Sequence, residues 1–471
     1  MSLENSYTRL PPDMYAAVLP EPVSGPTLLA WNAALAEELG IADWATDDAS
    51  RASIFSGSNL PPESKPVALA YAGHQFGYFV PQLGDGRAAL LGEAVDGSGA
   101  LRDIQLKGSG RTPYSRGGDG RSWLGPVIRE YLLSEAMHRL GVPTTRALAA
   151  VATGEYVYRE ERLPGAVFTR VASSHLRVGT FEYLAARKQT DALKSLADYA
   201  IERHYPETQE ADDAYAAFFD AVTSRQAELV ARWMAVGFIH GVMNTDNTSI
   251  AGETIDYGPC AFMDEFRHDK VFSSIDHHGR YAYGNQPPIA QWNLARLAEC
   301  LLQVSDSQAA FEAVLSAFPE RYNERYRELM RRKLGLSGNE PGDAGLIDAW
   351  LGHLETNALD YTLSFRELAS RARAGDDTHF GDVERQWRER ALGRGATPEE
   401  IAASMNAVNP LFVPRNHRIE QAIQHAVDGD MRVFRELQAV LAEPFDDHPE
   451  LAHYADAPQP EERVFQTFCG T

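Results

Sequence analysis

The sequence predicts an α+β fold of two lobes, strand-rich towards the N-terminus and helical towards the C-terminus. Three observations predict it. Between about 61 and 187, short apolar runs are punctuated by glycine turns. Beyond about 190, apolar residues recur with helical period instead. Strands that precede helices, rather than alternate with them, indicate α+β packing. The third is size: 471 residues, 44% of them apolar, suffice for more than one core.

Residues 1–60 are mixed, with prolines at Pro11-Pro12, Pro20 and Pro22, and read as an extension packed on the core. In the strand-rich lobe, 61–187, runs at 87–95 and 101–107 are joined by Asp96-Gly97-Ser98-Gly99, a hairpin signal. A helix over 127–140 follows, with Pro126 in its first turn and Gly141 and Pro143 stopping it. Strand pieces are expected at 147–151, 156–159 and 166–171. The helical lobe, 188–290, opens with a long periodic run over 211–238. A helical C-terminal extension, 291–471, carries helices at 292–303, 309–318, 322–334 and 344–355. Thr397-Pro398-Glu399-Glu400 opens another with a capping box, and 417–427 and 431–441 complete the series.

Composition narrows function. Acidic residues outnumber basic ones 66 to 44, a net charge of −22, which argues against nucleic acid and anionic membrane as partners. No apolar run reaches the roughly 18 residues of a spanning helix. The first residues show neither a signal-peptide nor a transit-peptide pattern. Three cysteines, Cys260, Cys300 and Cys469, form no C-x-x-C pair, and a reducing cytoplasm is the expected compartment.

Four segments carry chemistry. Gly84-Asp85-Gly86-Arg87 is a tight turn whose glycines let backbone N–H groups approach a phosphate, although most such turns are only turns. Lys107 ends the second hairpin strand and opens a basic, glycine-rich stretch through Arg111, Arg116 and Arg121, an anion site or an ion-pair hub in an acidic chain. Glu130, one turn into the 127–140 helix, is placed to pair with Lys107, although a first-turn glutamate also suits the helix dipole. After the 211–238 run comes His240-Gly-Val-Met-Asn-Thr-Asp246-Asn247, then Asp256-Tyr257-Gly258. Protein kinases carry H-x-D-x-x-x-x-N and D-F-G in this order, and the Asn and Asp hold Mg²⁺ on ATP phosphates. Here Val242 stands where kinases have the catalytic Asp, and Asp246 is an added carboxylate beside Asn247. Asp276-His277-His278 matches no zinc spacing and reads as a polar loop.

Tyr71-Ala-Gly-His-Gln-Phe-Gly77, Gln82-Leu-Gly-Asp-Gly-Arg87, Gln105-Leu-Lys-Gly-Ser-Gly-Arg-Thr-Pro-Tyr-Ser-Arg116, Asp119-Gly120-Arg121 and the segments around Asn247 and Asp256 closely resemble selenoprotein O. That family comprises kinase-fold pseudokinases that act as protein adenylyltransferases. The resemblance implies a protein kinase-like two-lobed fold. It also implies transfer of AMP from ATP to Ser, Thr or Tyr hydroxyls of acceptor proteins, with ATP reversed in the cleft and its γ-phosphate buried. Gly84, Gly86, Arg87, Lys107, Asp119, Gly120, Arg170, Arg177 and Asp256 would hold the nucleotide. Asn247 and Asp256 would bind Mg²⁺, with Mn²⁺ the alternative; Asp246 would accept the proton, and Glu130 would partner Lys107. A conventional kinase using the γ-phosphate, or a non-catalytic nucleotide-binding scaffold, are the competing readings; the missing Asp at 242 opposes the first and the retained metal pair the second. Animal members carry selenocysteine near the C-terminus, whereas this chain has Cys469. A tail with few helix formers after Val464 reaches a cleft-side thiol at modest closure cost, so Cys260 and Cys469 form a candidate redox pair. Cys300, inside an apolar helix, reads as buried and inert.

Overall fold

The computed structural model describes residues 3–61, 64–373, 378–393 and 395–468. Its strands are β1 (Tyr15–Ala17), β2 (Thr27–Trp31), β3 (Val67–Leu69), β4 (Gly73–Gln75), β5 (Tyr78–Val80), β6 (Ala88–Val95), β7 (Leu101–Lys107), β8 (Ser122–Trp123), β9 (Arg146–Tyr158) and β10 (Arg162–Ala172), followed by a short pair, β11 (Phe238–Ile239) and β12 (Ala261–Phe262). The main sheet runs β1-β3-β6-β7-β10-β9-β2, with β8 added to β10. Its pairings are antiparallel. The N-terminal segment is thus more than a wrapping. It supplies the strand at each end of the sheet, β1 and β2, which shortens the exposed edges.

Alternation along β7 sets the layers. Ile104 and Leu106 point to one face, into a core shared with the helices Ala33–Glu38 and Asp48–Phe55. Gln105 and Lys107 point to the other face. There the Leu124–Arg139 helix covers the sheet, and Asn416–Val427 and Arg432–Ala442 from the C-terminal region pack on it, with Tyr131 against Phe434. The largest core belongs to the helical part, around Ala214–Val236, Gln286–Leu301 and Gln308–Lys333. The C-terminal region therefore divides: its earlier helices extend this core, and its last two return to the sheet.

Two expectations are corrected. The strands expected at 147–151 and 156–159 are one, β9, which runs through Gly154 in a left-handed conformation (φ 72°) opposite the backbone of Gly25. The helices expected at 309–318 and 322–334 are also one, Gln308–Lys333, despite Pro319. A proline inside a helix leaves the carbonyl four residues back without its N–H donor. Here that carbonyl, Leu315 O, accepts from Gln291 Nε2 at 2.8 Å instead.

The fold stores a pH dependence. His204, at the end of the Thr190–His204 helix, is held neutral: burial first, then the neighbouring Arg203, push its pKa down to about 3. Its Nε2 lies 2.8 Å from Ser174 Oγ. Between pH 6.5 and 3 the unfolded chain binds a proton that the folded one does not, so stability falls on acidification. From pH 7 to 5 this group alone should cost about 2 kcal/mol. Urea midpoints at the two pH values should therefore converge in His204→Gln relative to the wild type; equal acid losses in both proteins would show that His204 is not the cause.

Candidate active site

Cross-strand neighbours build the first wall. Gln105 on β7 lies opposite Arg170 on β10, and Arg170 donates to Gln105 Oε1 at 2.7 Å. Two residues along β7, Lys107 Nζ lies 2.6 Å from Glu130 Oε2 on the Leu124–Arg139 helix and 2.8 Å from Asp256 Oδ1. Arg170 reaches the same two carboxylates, Asp256 at 2.8 Å and Glu130 at 3.4 Å. Arg177 lies 3.6 Å from both Asp256 and Asp85, with its guanidinium 4.4 Å from the Tyr71 ring centre. Burial alone would raise the Asp256 carboxyl, but Lys107, Arg170 and Arg177 together hold it well below the usual carboxylate range. The Nε atoms of both arginines are buried and lack hydrogen-bond partners among the described residues. Asp256 has φ 66°, a conformation that Asp and Asn tolerate better than most residues.

The second wall is the loop that leaves the Ala214–Val236 helix. Asn247 donates its amide to Val242 O at 3.0 Å, which leaves its side-chain oxygen for a ligand. Asp246 is buried; its Oδ2 accepts from Gln75 at 3.1 Å, and its Oδ1 has no partner among the described residues. Burial pushes the Asp246 carboxyl up to about 7 against the opposing bond from Gln75. Val242 is buried and apolar at the cleft.

Between the walls lies a cavity of about 430 Å³. Seven Lys and Arg side chains line it against five Asp and Glu, a positive balance in a chain of net charge −22. Arg87 and Arg116 line it without an ion pair to another described residue, so they are available to an anion. Asp119 accepts from Arg159 at 2.8 Å and from the Arg121 N–H at 2.9 Å, which folds the 108–121 loop over the opening. The glycines allow close approach: a Cβ at Gly84 would meet the Tyr114 ring of the 108–121 loop at 2.5 Å, and one at Gly120 would meet Gly110 O across that same loop at 2.0 Å. A hard cation is suited by oxygen donors and needs few from the protein when phosphates supply the rest. Asn247 and Asp256 present oxygens of that kind at the cavity, and no cluster of three or more His, Cys, Asp or Glu placed to hold a metal occurs among the described residues.

Comparison with known proteins decides the family. The family model described as "Protein adenylyltransferase SelO" matches residues 1–442. The chain belongs to the SelO family. It is 54% identical over 484 residues to "Protein nucleotidyltransferase YdiU" of Bradyrhizobium diazoefficiens, covering 99% of each chain. It is 56% identical to the protein of that name from Rhizobium rhizogenes, covering 99% of this chain and 96% of the relative.

Every nucleotide, metal and proton-acceptor residue expected from the SelO resemblance lines this one cavity: Gly84, Gly86, Arg87, Lys107, Asp119, Gly120, Arg170, Arg177, Asp246, Asn247 and Asp256, with Glu130 beside Lys107. Sequence reasoning missed Asp85, which bonds Gln105 and the Leu69 N–H and faces Arg177, although it sits inside the Gly84–Arg87 turn. It also missed a role for Gln75 and for Arg159, whose partner Asp119 lies 40 residues away. Asp276 accepts from the Arg280 and Tyr281 N–H groups, a turn cap as expected of a polar loop. Cys300 is buried with its thiol on Arg296 O, and burial pushes it well up. Cys260 is also buried. Cys469 lies outside the described residues, but the tail before it is tethered rather than mobile. Arg463 pairs with Glu265 at 2.6 Å, and Thr467 pairs with the backbone at 272–274 and bonds Pro259 O, next to Cys260.

Proposed function

We propose that the protein binds ATP reversed in this cleft and transfers AMP to Ser, Thr or Tyr hydroxyls of other proteins. The observation that carries the reading is that a buried, apolar Val242 and a buried Asp246, whose Oδ1 has no partner among the described residues, line the same cleft. Lys107 and the buried Arg170 and Arg177 form a cationic floor suited to the terminal phosphates. The acceptor hydroxyl attacks the α-phosphorus, its proton passes to Asp246, and the bond to the bridging oxygen breaks to release pyrophosphate. Asn247 and Asp256 would hold Mg²⁺, or Mn²⁺, which supplies charge stabilisation when bound. We read the sheet with its covering helix (61–187) and the helical part (188–290) as lobes of a protein kinase-like fold lacking the kinase base, a pseudokinase. The 1–60 and 291–471 segments are its extensions.

Incubation with ATP labelled on the α- or the γ-phosphate tests the reaction. Protein-bound α-label is expected. Protein-bound γ-label would establish a conventional kinase, and no bound label would establish a scaffold.

The tethered tail supports a redox control. We propose that oxidation joins Cys260 to Cys469 and restrains the tail beside Gly258, which lines the cleft. Two thiols give up two electrons and two protons to a disulfide-exchange oxidant. Non-reducing peptide mapping should find the Cys260–Cys469 cross-link, and reductant should raise transfer. Equal activity with and without reductant would refute the control.

A further inference from the structure

The motif Tyr71–Gly77 was singled out by sequence, yet only Tyr71, Gln75 and Phe76 reach the cleft, and none has a part in the reaction described above. Its fold gives it one. Residues Gly73–Gln75 and Tyr78–Val80 form a two-stranded hairpin separate from the main sheet. Phe76 and Gly77 turn it with φ 52° and 87°, the left-handed pair of a tight two-residue turn. Ala72, at its base, donates its N–H to Gly179 O on the Val178–Ala186 helix at 3.0 Å.

The hairpin grips three successive residues of the catalytic loop. The Phe76 N–H lies 3.2 Å from Asn244 Oδ1, which also accepts from the Tyr281 hydroxyl at 2.7 Å. The His74 N–H donates to Thr245 Oγ1 at 2.7 Å. Thr245 donates in turn to Glu182 on the Val178–Ala186 helix, and Glu182 also bonds His74 Nδ1, which closes a ring of contacts. Gln75 Nε2 donates to Asp246 Oδ2 at 3.1 Å. Gly73 lies under the same carboxylate: a Cβ there would stand 2.7 Å from Asp246 Oδ1. The carboxylate is thus held at Oδ2 by an amide and bounded at Oδ1 by bare backbone, and Oδ1 is buried with no hydrogen-bond partner among the described residues.

We propose that this hairpin is a clamp on the catalytic loop and that Gln75 is the positioning residue that fixes the orientation of the Asp246 carboxylate in the cleft wall. The inference rests on the adenylyl-transfer reading above. A carboxylate free to rotate would lose its alignment with the attacking oxygen, and a misplacement of about 1 Å costs on the order of 100-fold in rate. Gln75 would act through Asp246 and not on the nucleotide. Its loss should therefore lower kcat without weakening ATP binding.

The test uses the full chain, α-labelled ATP and casein as the hydroxyl-rich acceptor. Gln75→Leu, close in volume, should lower kcat by about 10- to 100-fold and leave the ATP dissociation constant within about twofold. In an Asp246→Ala background the same change should add no further loss, because the group it positions is gone. A Gln75→Leu protein that loses ATP affinity at unchanged kcat, or whose loss multiplies that of Asp246→Ala, overturns the proposal. If Gln75→Leu is harmless while Asp246→Ala is inactive, the clamp fails and the proton-acceptor reading stands. Full turnover in Asp246→Ala sinks both.

Discussion

Asp256→Asn is expected to reduce AMP transfer by at least about 1,000-fold on the proposed metal assignment, because several kcal/mol of charge stabilisation at the phosphates would then depend on this carboxylate. Asparagine is the informative substitution here. Asp256 sits at φ 66°, where Asn is tolerated and Ala is strained. An effect of Asp256→Ala would mix backbone strain with lost charge. The variant should also lose stability without nucleotide, because Lys107, Arg170 and Arg177 then face Glu130 and Asp85 alone. Activity should therefore be read well below the variant's melting temperature. Asn247→Ala, which removes a neutral ligand, should cost less. Wild-type turnover in Asp256→Asn would refute the metal assignment.

Lys107→Ala should lower kcat/KM by roughly 100- to 1,000-fold, the scale of losing one preorganised cationic donor to a phosphate. The chain should still fold. Arg170 already contacts both carboxylates that Lys107 pairs, Glu130 and Asp256, so neither is left alone when the lysine goes. Lys107→Arg should not restore full activity, because a larger guanidinium would crowd Arg170 at the two carboxylates it already contacts and move the charge from the position of the compact ammonium. Thermal melting without nucleotide separates the readings. A cooperative transition shifted by a few degrees fits a ligand-binding lysine, and a collapse of the fold would mark it as a structural ion pair.

Much of the architecture was legible because its signals are local. The hairpin at 87–107 announced itself through two short apolar runs and an Asp-Gly turn, and the observed strands Ala88–Val95 and Leu101–Lys107 match it. The capping box at Thr397 and Glu400 formed as read. Boundaries failed where a distant group changed the local rule. Pro319 looks like a helix stop until Gln291, 28 residues earlier, takes the carbonyl the proline leaves unpaired.

The site divides in the same way. The sequence by itself determined which residue types are available: the basic glycine-rich stretch, the Asn247 and Asp256 pair, and an Asp at 246 four residues after the apolar Val242. Only the tertiary structure decided their coupling. It set Arg170 across from Gln105, closed Lys107, Glu130 and Asp256 into one charge network, and laid the Gly73–Val80 hairpin on the loop at 244–246. Spacing along a chain says little about such contacts, because partners 149 and 171 residues apart meet only when burial brings their elements together. Once buried, each charge needs a partner, and the fold dictates which one it finds.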